Sequence, residues 1–148
     1  MILNKKFLYA LEAVLDIALN SRGNPIQSHD ITKRQGVPKR YLEAILQELV
    51  HQNILKGTRG PKGGYNLARE KRNITLNEIY KTVLVIEKKD IEINENSLLR
   101  TKIITPLMAE ITDQIINNLK SKNLEDLYQK IMKNSLQLKK RKKIDFSI

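Results

Sequence analysis

Residues 55–67 read Leu-Lys-Gly-Thr-Arg-Gly-Pro-Lys-Gly-Gly-Tyr-Asn-Leu. Two short β-prone runs, Asn53-Ile54-Leu55 and Tyr65-Asn66-Leu67, flank a tip holding Gly57, Gly60, Pro61, Gly63 and Gly64. Glycine and proline at this density predict a hairpin with a long, sharply shaped loop. The tip also carries Thr58, Arg59 and Lys62 and no acidic residue. Glycines let a backbone come close to another surface, and the two cations point to an anionic one. An exposed hairpin with incidental charge is the bland alternative, and the preceding residues weigh against it.

Upstream, Ser28 reads as the N-cap of a short helix, His29 to Gln35, with Ile31 buried and Gly36 in the left-handed C-terminal position. Pro38 suits the first turn of a third helix because its missing N–H is not needed there. That helix runs to about His51 and buries Leu42, Ile45, Leu46 and Leu49, leaving Lys39, Arg40, Glu43 and Gln47 facing outward. Asn53 stands where it must stop. A short helix, a glycine turn and a second helix with a polar outer face form a helix-turn-helix pattern. With the basic hairpin close behind, the pattern becomes a winged helix-turn-helix. The first helix, about Leu3 to Asn20, shows an apolar stripe of Phe7, Leu8, Leu11, Val14, Leu15 and Ala18, with Glu12 and Asp16 assigned to its polar face.

Downstream, Thr75 and Glu78 have the spacing of a capping box, opening a helix to about Val85 that buries Leu76, Ile79 and Val83. Residues 87–96 read as a loop and Leu98 to Ile104 as a short helical turn. Thr105-Pro106 then opens an apolar helix whose Leu107, Met108, Ile111, Ile115 and Leu119 are assigned to a dimer interface. Packing against its own domain is the competing reading. A further helix spans Leu124 to Leu138, and a basic tail of solvated character holds residues 139–148. The expected organisation is a DNA-binding domain at 1–86, a divergent sensor-type loop at 87–105, a helical dimerisation region at 106–138 and the tail. The fold class is mainly α with a small β wing.

The chain has 148 residues and a formal charge of +11. Its distribution is what matters: +7 over residues 1–75, zero over 76–138 and +4 over 139–148. The positive field therefore belongs to the half that carries the hairpin. There is no cysteine, so disulfides and thiolate metal sites are excluded. His29 and His51 read as ordinary surface residues. No nucleophile–base pair, paired carboxylates or nucleotide loop points to an enzyme. Glu12 and Asp16 interrupt the apolar N-terminus, so neither a membrane span nor a signal peptide is expected and a cytoplasmic protein is the default.

The strings RGPKGGYNL (59–67), YLEAILQEL (41–49), ITLNEIYKTV (74–83) and LYALEAVLDIALNS (8–21) resemble the Rrf-two family of bacterial winged-helix transcription regulators. The resemblance is tight over about residues 1–86 and looser over 117–127. It implies a homodimer that crosses its long C-terminal helices and reads a partly palindromic operator in double-stranded DNA. By position, Arg59 would enter the minor groove, while Lys39, Tyr41, Glu43 and Gln47 would lie at the major groove or its flanking phosphates. Ser28, Arg40, Thr58, Gly60, Lys62, Gly63, Gly64 and Tyr65 complete the expected DNA-binding set. Cluster-binding members carry three cysteines, and in some a histidine, in the interval that here runs from Glu87 to Thr105 and holds neither. Lys102 stands at the last cysteine position and Thr105 at the histidine position. The expectation is therefore no iron–sulfur cluster, no other cofactor or metal, and Thr105 capping the helix that Pro106 begins. A protein or small-molecule effector is implied as possible by the resemblance alone. The alternatives are a protein-interaction module, or a sequence-independent DNA-binding module, that keeps the winged-helix fold.

Overall fold

A computed structural model describes residues 4–87 and 97–146, with side chains described for 4–86 and 97–135. The loop expected at 87–96 lies outside these residues except for Glu87, which is still helical, and the side chains of the basic tail lie outside them too. Helix α1 spans Lys5–Asn20, and Asn4 caps it by accepting the Phe7 N–H at 2.8 Å. Its buried face is Phe7, Ala10, Ala13, Val14 and Ile17, rotated from the stripe expected from the sequence. Leu8 is 46% exposed, and Leu11, Leu15 and Ala18 pack only at the edge of the core. Small Ala10 and Ala13 mark the side where other helices come close. Asp16, expected at the surface, is buried.

Helix α2 spans Ser28–Gln35 and α3 spans Lys39–His51. Ser28 is the first helical residue and does not cap. Gln27 holds the cap position, and no side chain bonds there. Pro38 likewise stands one residue earlier than expected, as the N-cap of α3. Both C-terminal expectations hold in backbone terms: Gly36 has φ 70° and Asn53 has φ 57°. Strands β1 (Leu55–Thr58) and β2 (Gly64–Leu67) pair antiparallel, Leu55 opposite Leu67 and Thr58 opposite Gly64. Ile26 adds a third short rung. Its N–H donates to the Tyr65 carbonyl at 2.9 Å, and it accepts the Tyr65 N–H at 2.8 Å.

A single 3-10 turn, Lys71–Asn73, leads to α4, Leu76–Glu87. The expected capping box is formed there: the Thr75 N–H donates to Glu78 Oε2 at 2.9 Å, and the Glu78 N–H to Thr75 Oγ1 at 3.2 Å. The core joins Phe7, Ile17, Leu42, Leu46, Ile54, Ile79 and Val83 with Leu124, which arrives from the C-terminal region. The Phe7 and Tyr80 rings pack nearly perpendicular with centroids 5.5 Å apart.

The C-terminal region departs most from the sequence reading. The helix attributed to Thr105-Pro106 starts earlier, at Leu98, where Ser97 Oγ accepts the Arg100 N–H at 3.2 Å. It passes through a π turn at Arg100–Ile104 and continues without a break as α5, Thr105–Lys120. Thr105 makes no capping bond, because it sits inside the helix and its N–H reaches five residues back, to the Arg100 carbonyl. Pro106 has no N–H, and in an α-helix its ring would press on the carbonyl four residues before it; a wide turn just upstream relieves that crowding. Helix α6 spans Leu124–Phe146, so the backbone expected as a tail from residue 139 is helical to 146. At its start Asn123 and Asp126 exchange bonds of 2.9 and 3.0 Å, a reciprocal cap that the sequence reading overlooked.

Candidate nucleic-acid interface

The wing and α3 face one another across an open groove. From α2 and the residue before it the groove takes Gln27, Ser28 and His29, and from α3 Gln47, Val50 and His51. The wing supplies Gly57, Thr58, Arg59, Gly60, Gly63, Gly64 and Tyr65, and no Asp or Glu lines the groove. Of the residues singled out from the sequence, it thus gathers Ser28, Gln47, Thr58, Arg59, Gly60, Gly63, Gly64 and Tyr65. Lys62 lines a second hollow, beside Asn24, Pro25 and Asp30. Lys39, Arg40, Tyr41 and Glu43 are not groove residues. They occupy the first turns of α3, where Lys39, Arg40 and Glu43 are exposed. Arg40 is engaged with its neighbour: it lies 4.5 Å over the Tyr41 ring and donates to the Tyr41 hydroxyl at 2.7 Å. Tyr41 itself is half-buried and stacks on Tyr9 at 5.9 Å. Among the described residues Lys39, Arg59 and Lys62 have no ion-pair partner.

Gly63 and Gly64 are glycine for reasons internal to the wing. A Cβ on Gly63 would lie 2.2 Å from the Thr58 carbonyl oxygen, and one on Gly64 2.5 Å from that of Ile26. Gly64 also has φ 150°, whereas Gly60, at φ 107°, has open space around it. The loop is tethered from below by Gln27, whose Nε2 donates to the Pro61 carbonyl at 3.2 Å.

The placement of α2 depends on Asp16. Its carboxylate accepts Arg34 Nε at 2.9 Å, Arg34 Nη2 at 2.7 Å and Gln35 Nε2 at 2.8 Å. Burial by itself pushes the Asp16 pKa up and is the largest single influence. The hydrogen bonds from Arg34 and Gln35, together with the Arg34 charge, outweigh it and hold the carboxyl below the ordinary carboxylate value. The same contact raises Arg34.

His29 and His51, expected to be ordinary surface or helix-end residues, are exposed, and both also line the groove. His51 follows Gln47 by four residues, so it shares its helical face; that signal was available. His29 lies 3.1 Å from Asp30, and His51 3.5 Å from Glu48.

The five residues assigned to a dimer interface divide in the folded chain. Leu107, Met108 and Ile111 are exposed, Ile115 is half-buried, and Leu119 packs against the chain's own core. Leu98, Leu99, Ile103 and Ile104 extend the exposed set upstream. No helix among the described residues is long and apolar enough to cross a membrane.

Comparison with known proteins agrees with this architecture. Over 83 residues the chain is 39% identical to the HTH-type transcriptional regulator IscR of Escherichia coli O1:K1 / APEC, a match covering 56% of this chain and 51% of the relative. The chain thus spans about half the length of the curated relatives it matches. Among solved structures it is similar to IscR of T. potens, with TM-score 0.69, 25% identity and coverage of 87% of each chain. It is also similar to CymR (YrzC), the global cysteine regulator of B. subtilis, with TM-score 0.63, 26% identity and coverage of 84% and 94%. The profile of the Rrf2 family, described as iron-dependent transcriptional regulator, matches residues 3–130, and the chain belongs to that family of winged-helix regulators.

Proposed function

We propose that the chain is a sequence-specific regulator of transcription that binds a partly palindromic operator in double-stranded DNA as a homodimer. The observation that carries this reading is the acid-free groove between α3 and the wing, with unpaired Arg59 at its wing side. A strand of B-DNA separates a major groove, which admits a helix, from a minor groove, which attracts arginine. A helix and a wing flanking an acid-free trough match that relief, with the sugar-phosphate strand running between them. In this reading Gln47 and Glu43 face base edges, Lys39, Arg40, Ser28 and Lys62 face phosphates, and Thr58, Gly60, Gly63, Gly64 and Tyr65 shape the wing around Arg59. Glu43 can accept from cytosine and repels phosphate, which favours specificity over affinity.

Dimer formation is supported by α5 and the turn before it. Leu98, Leu99, Ile103, Ile104, Leu107, Met108 and Ile111 are each 41–72% exposed, a long apolar face of the kind that marks an interface. A second copy of the same helix is the partner that fits, since two-fold association pairs identical faces.

The residues present do not fit an iron–sulfur cluster. Such clusters are held by thiolates, and this chain has no cysteine. Lys102 and Thr105, at the positions the resemblance gives to ligands, offer an ammonium group and a hydroxyl. Regulation here is therefore independent of a cluster held by this chain, and the chain is a binder rather than an enzyme. The test is selection of bound sequences from a random duplex pool, followed by affinity measurements at two salt concentrations. A palindromic motif that keeps its advantage over random DNA as salt rises is the expected result. Binding that follows salt alone would make the chain a sequence-independent module, and no binding would make it a protein-interaction module.

A further inference from the structure

Arg69 follows β2 after Ala68, is not among the residues that line the groove, and is held from three directions. Its Nε donates to the Asn53 carbonyl at 3.0 Å, at the left-handed turn between α3 and β1. Its Nη1 donates to the Asn73 carbonyl at 3.0 Å, and its Nη2 lies 3.0 Å from Glu78 Oε1. The other oxygen of Glu78 closes the capping box of α4 through the Thr75 N–H. Thr75 in turn pairs with Asn123 in an isolated bridge. There the Leu76 N–H donates to the Lys122 carbonyl at 3.0 Å and the Leu124 N–H to the Ile74 carbonyl at 2.9 Å. One guanidinium therefore connects the base of the wing, the turn after α3 at Asn53, and a capping box bonded to the turn between α5 and α6.

We propose that Arg69 is a positioning residue: it fixes the angle between the wing and α3 and registers both against the α5–α6 turn. The chemistry requires arginine. Its planar fork presents donors in three directions at once, whereas a lysine ammonium on the same stem is a compact charge that cannot span all three acceptors. Glu78 is shared between the strut and the cap, so the strut is only as fixed as the start of α4. The consequence for binding rests on the DNA-binding reading above; the positional statement does not.

Because the chain has no cysteine, single cysteines can be placed freely for spin labels. Labels at Lys62→Cys on the wing tip and Ala44→Cys on the exposed side of α3 report their separation by pulsed dipolar spectroscopy. Arg69→Met is expected to broaden the distance distribution, and Arg69→Lys to broaden it nearly as much. An unchanged distribution in both folded variants overturns the proposal. On the selected operator, without labels, Arg69→Met is expected to lose roughly tenfold in affinity, the scale of one lost wing contact. In an Arg59→Ala background that loss should disappear, because Arg69 acts through the wing. A loss of the same size in both backgrounds overturns the proposal, since a general loss of structure would act independently of Arg59. Broadened distances in a protein that selects no DNA sequence would uphold the strut and refute the DNA-binding reading. If Arg69→Met does not fold, Arg69→Lys and Glu78→Gln, which keeps a capping acceptor, carry the same measurements.

Discussion

Replacing Asp16 by Asn removes one charge from the joint that holds α2 against α1. The wild-type carboxylate, with its side chain fully buried, accepts three hydrogen bonds of 2.7–2.9 Å from Arg34 and Gln35. Hydrogen bonds to charged groups are each worth about 1.5–3 kcal/mol, but the sum overstates the loss. Asn keeps one acceptor, and the desolvation cost of the buried charge disappears with it. The Arg34 side chain is also 38% exposed and can rehydrate. We therefore predict a loss of about 2–3 kcal/mol at pH 7, less than the 3–5 typical of breaking a fully buried pair. For a chain of this size that corresponds to a fall of roughly 5–12 °C in melting temperature.

The pH dependence has a definite sign. The folded pKa of Asp16 is lowered, so its contribution is complete above the ordinary carboxylate value of about 3.9 and fades as pH falls through the folded value. The gap between wild type and Asp16→Asn should therefore narrow in acid. Urea unfolding followed by circular dichroism at pH 7, 5 and 3, at one fixed protein concentration, measures it. A gap below about 0.5 kcal/mol at pH 7, or one equally large at pH 3, would refute the assignment of this carboxylate as the ionised clamp of α2.

Gly64→Ala should destabilise the fold by about 2–4 kcal/mol in the same assay, since its Cβ would press on the Ile26 carbonyl at a backbone angle few side chains adopt. A stability loss under 0.5 kcal/mol would mean that the third rung of the wing is easily moved. Arg59→Ala should leave the melting temperature unchanged and weaken operator binding by about 1–3 kcal/mol in titrations with labelled duplex; undiminished affinity would take the wing out of recognition. Ile111→Asp places a charge on the exposed apolar face of α5 and should sediment as a monomer with poor operator binding. A variant that still sediments as a dimer would sink the assignment of that face.

Much of the winged domain was legible because its signals are local. Gly36 and Asn53 adopt left-handed backbone where the helices must end, and Thr75 with Glu78 satisfies two free N–H groups at spacing set by helix geometry. The readings that missed depend on what lies across the chain. Asp16 looked like a surface residue because its partner Arg34 is eighteen positions away, and only the packing of α2 on α1 makes its burial tolerable. Leu8 fits the apolar period of α1 and yet is exposed, because the close approach of neighbouring helices follows the small Ala10 and Ala13. Glycines at the tip such as Gly63 and Gly64 point from sequence to a close approach to another surface. The backbone that crowds them is its own, from Thr58 and Ile26. The glycine signature thus reports how this wing is folded, and what points to an anionic partner is Arg59, Lys62 and the groove. Pro106 suits a helix start, where proline usually stands, but a π turn lets the helix run past it.

That π turn is also a register mark. An α-helix repeats every 3.6 residues, so apolar residues four apart, such as Leu99, Ile103, Leu107 and Ile111, drift about 40° around the axis at each step. One wide turn at Arg100–Ile104 holds an extra residue and takes back part of that drift. Closing it to plain α-helix with its length unchanged would swing Leu98 and Leu99 by about 100° relative to Met108 and Ile111. The upstream leucines would then leave the face they share with Ile111 while every side chain stayed in the sequence. The width of one turn, as much as composition, therefore writes this surface: a chain one residue shorter there and closed to plain α-helix would keep its leucines on the same face, whereas one of equal length without the wide turn would not.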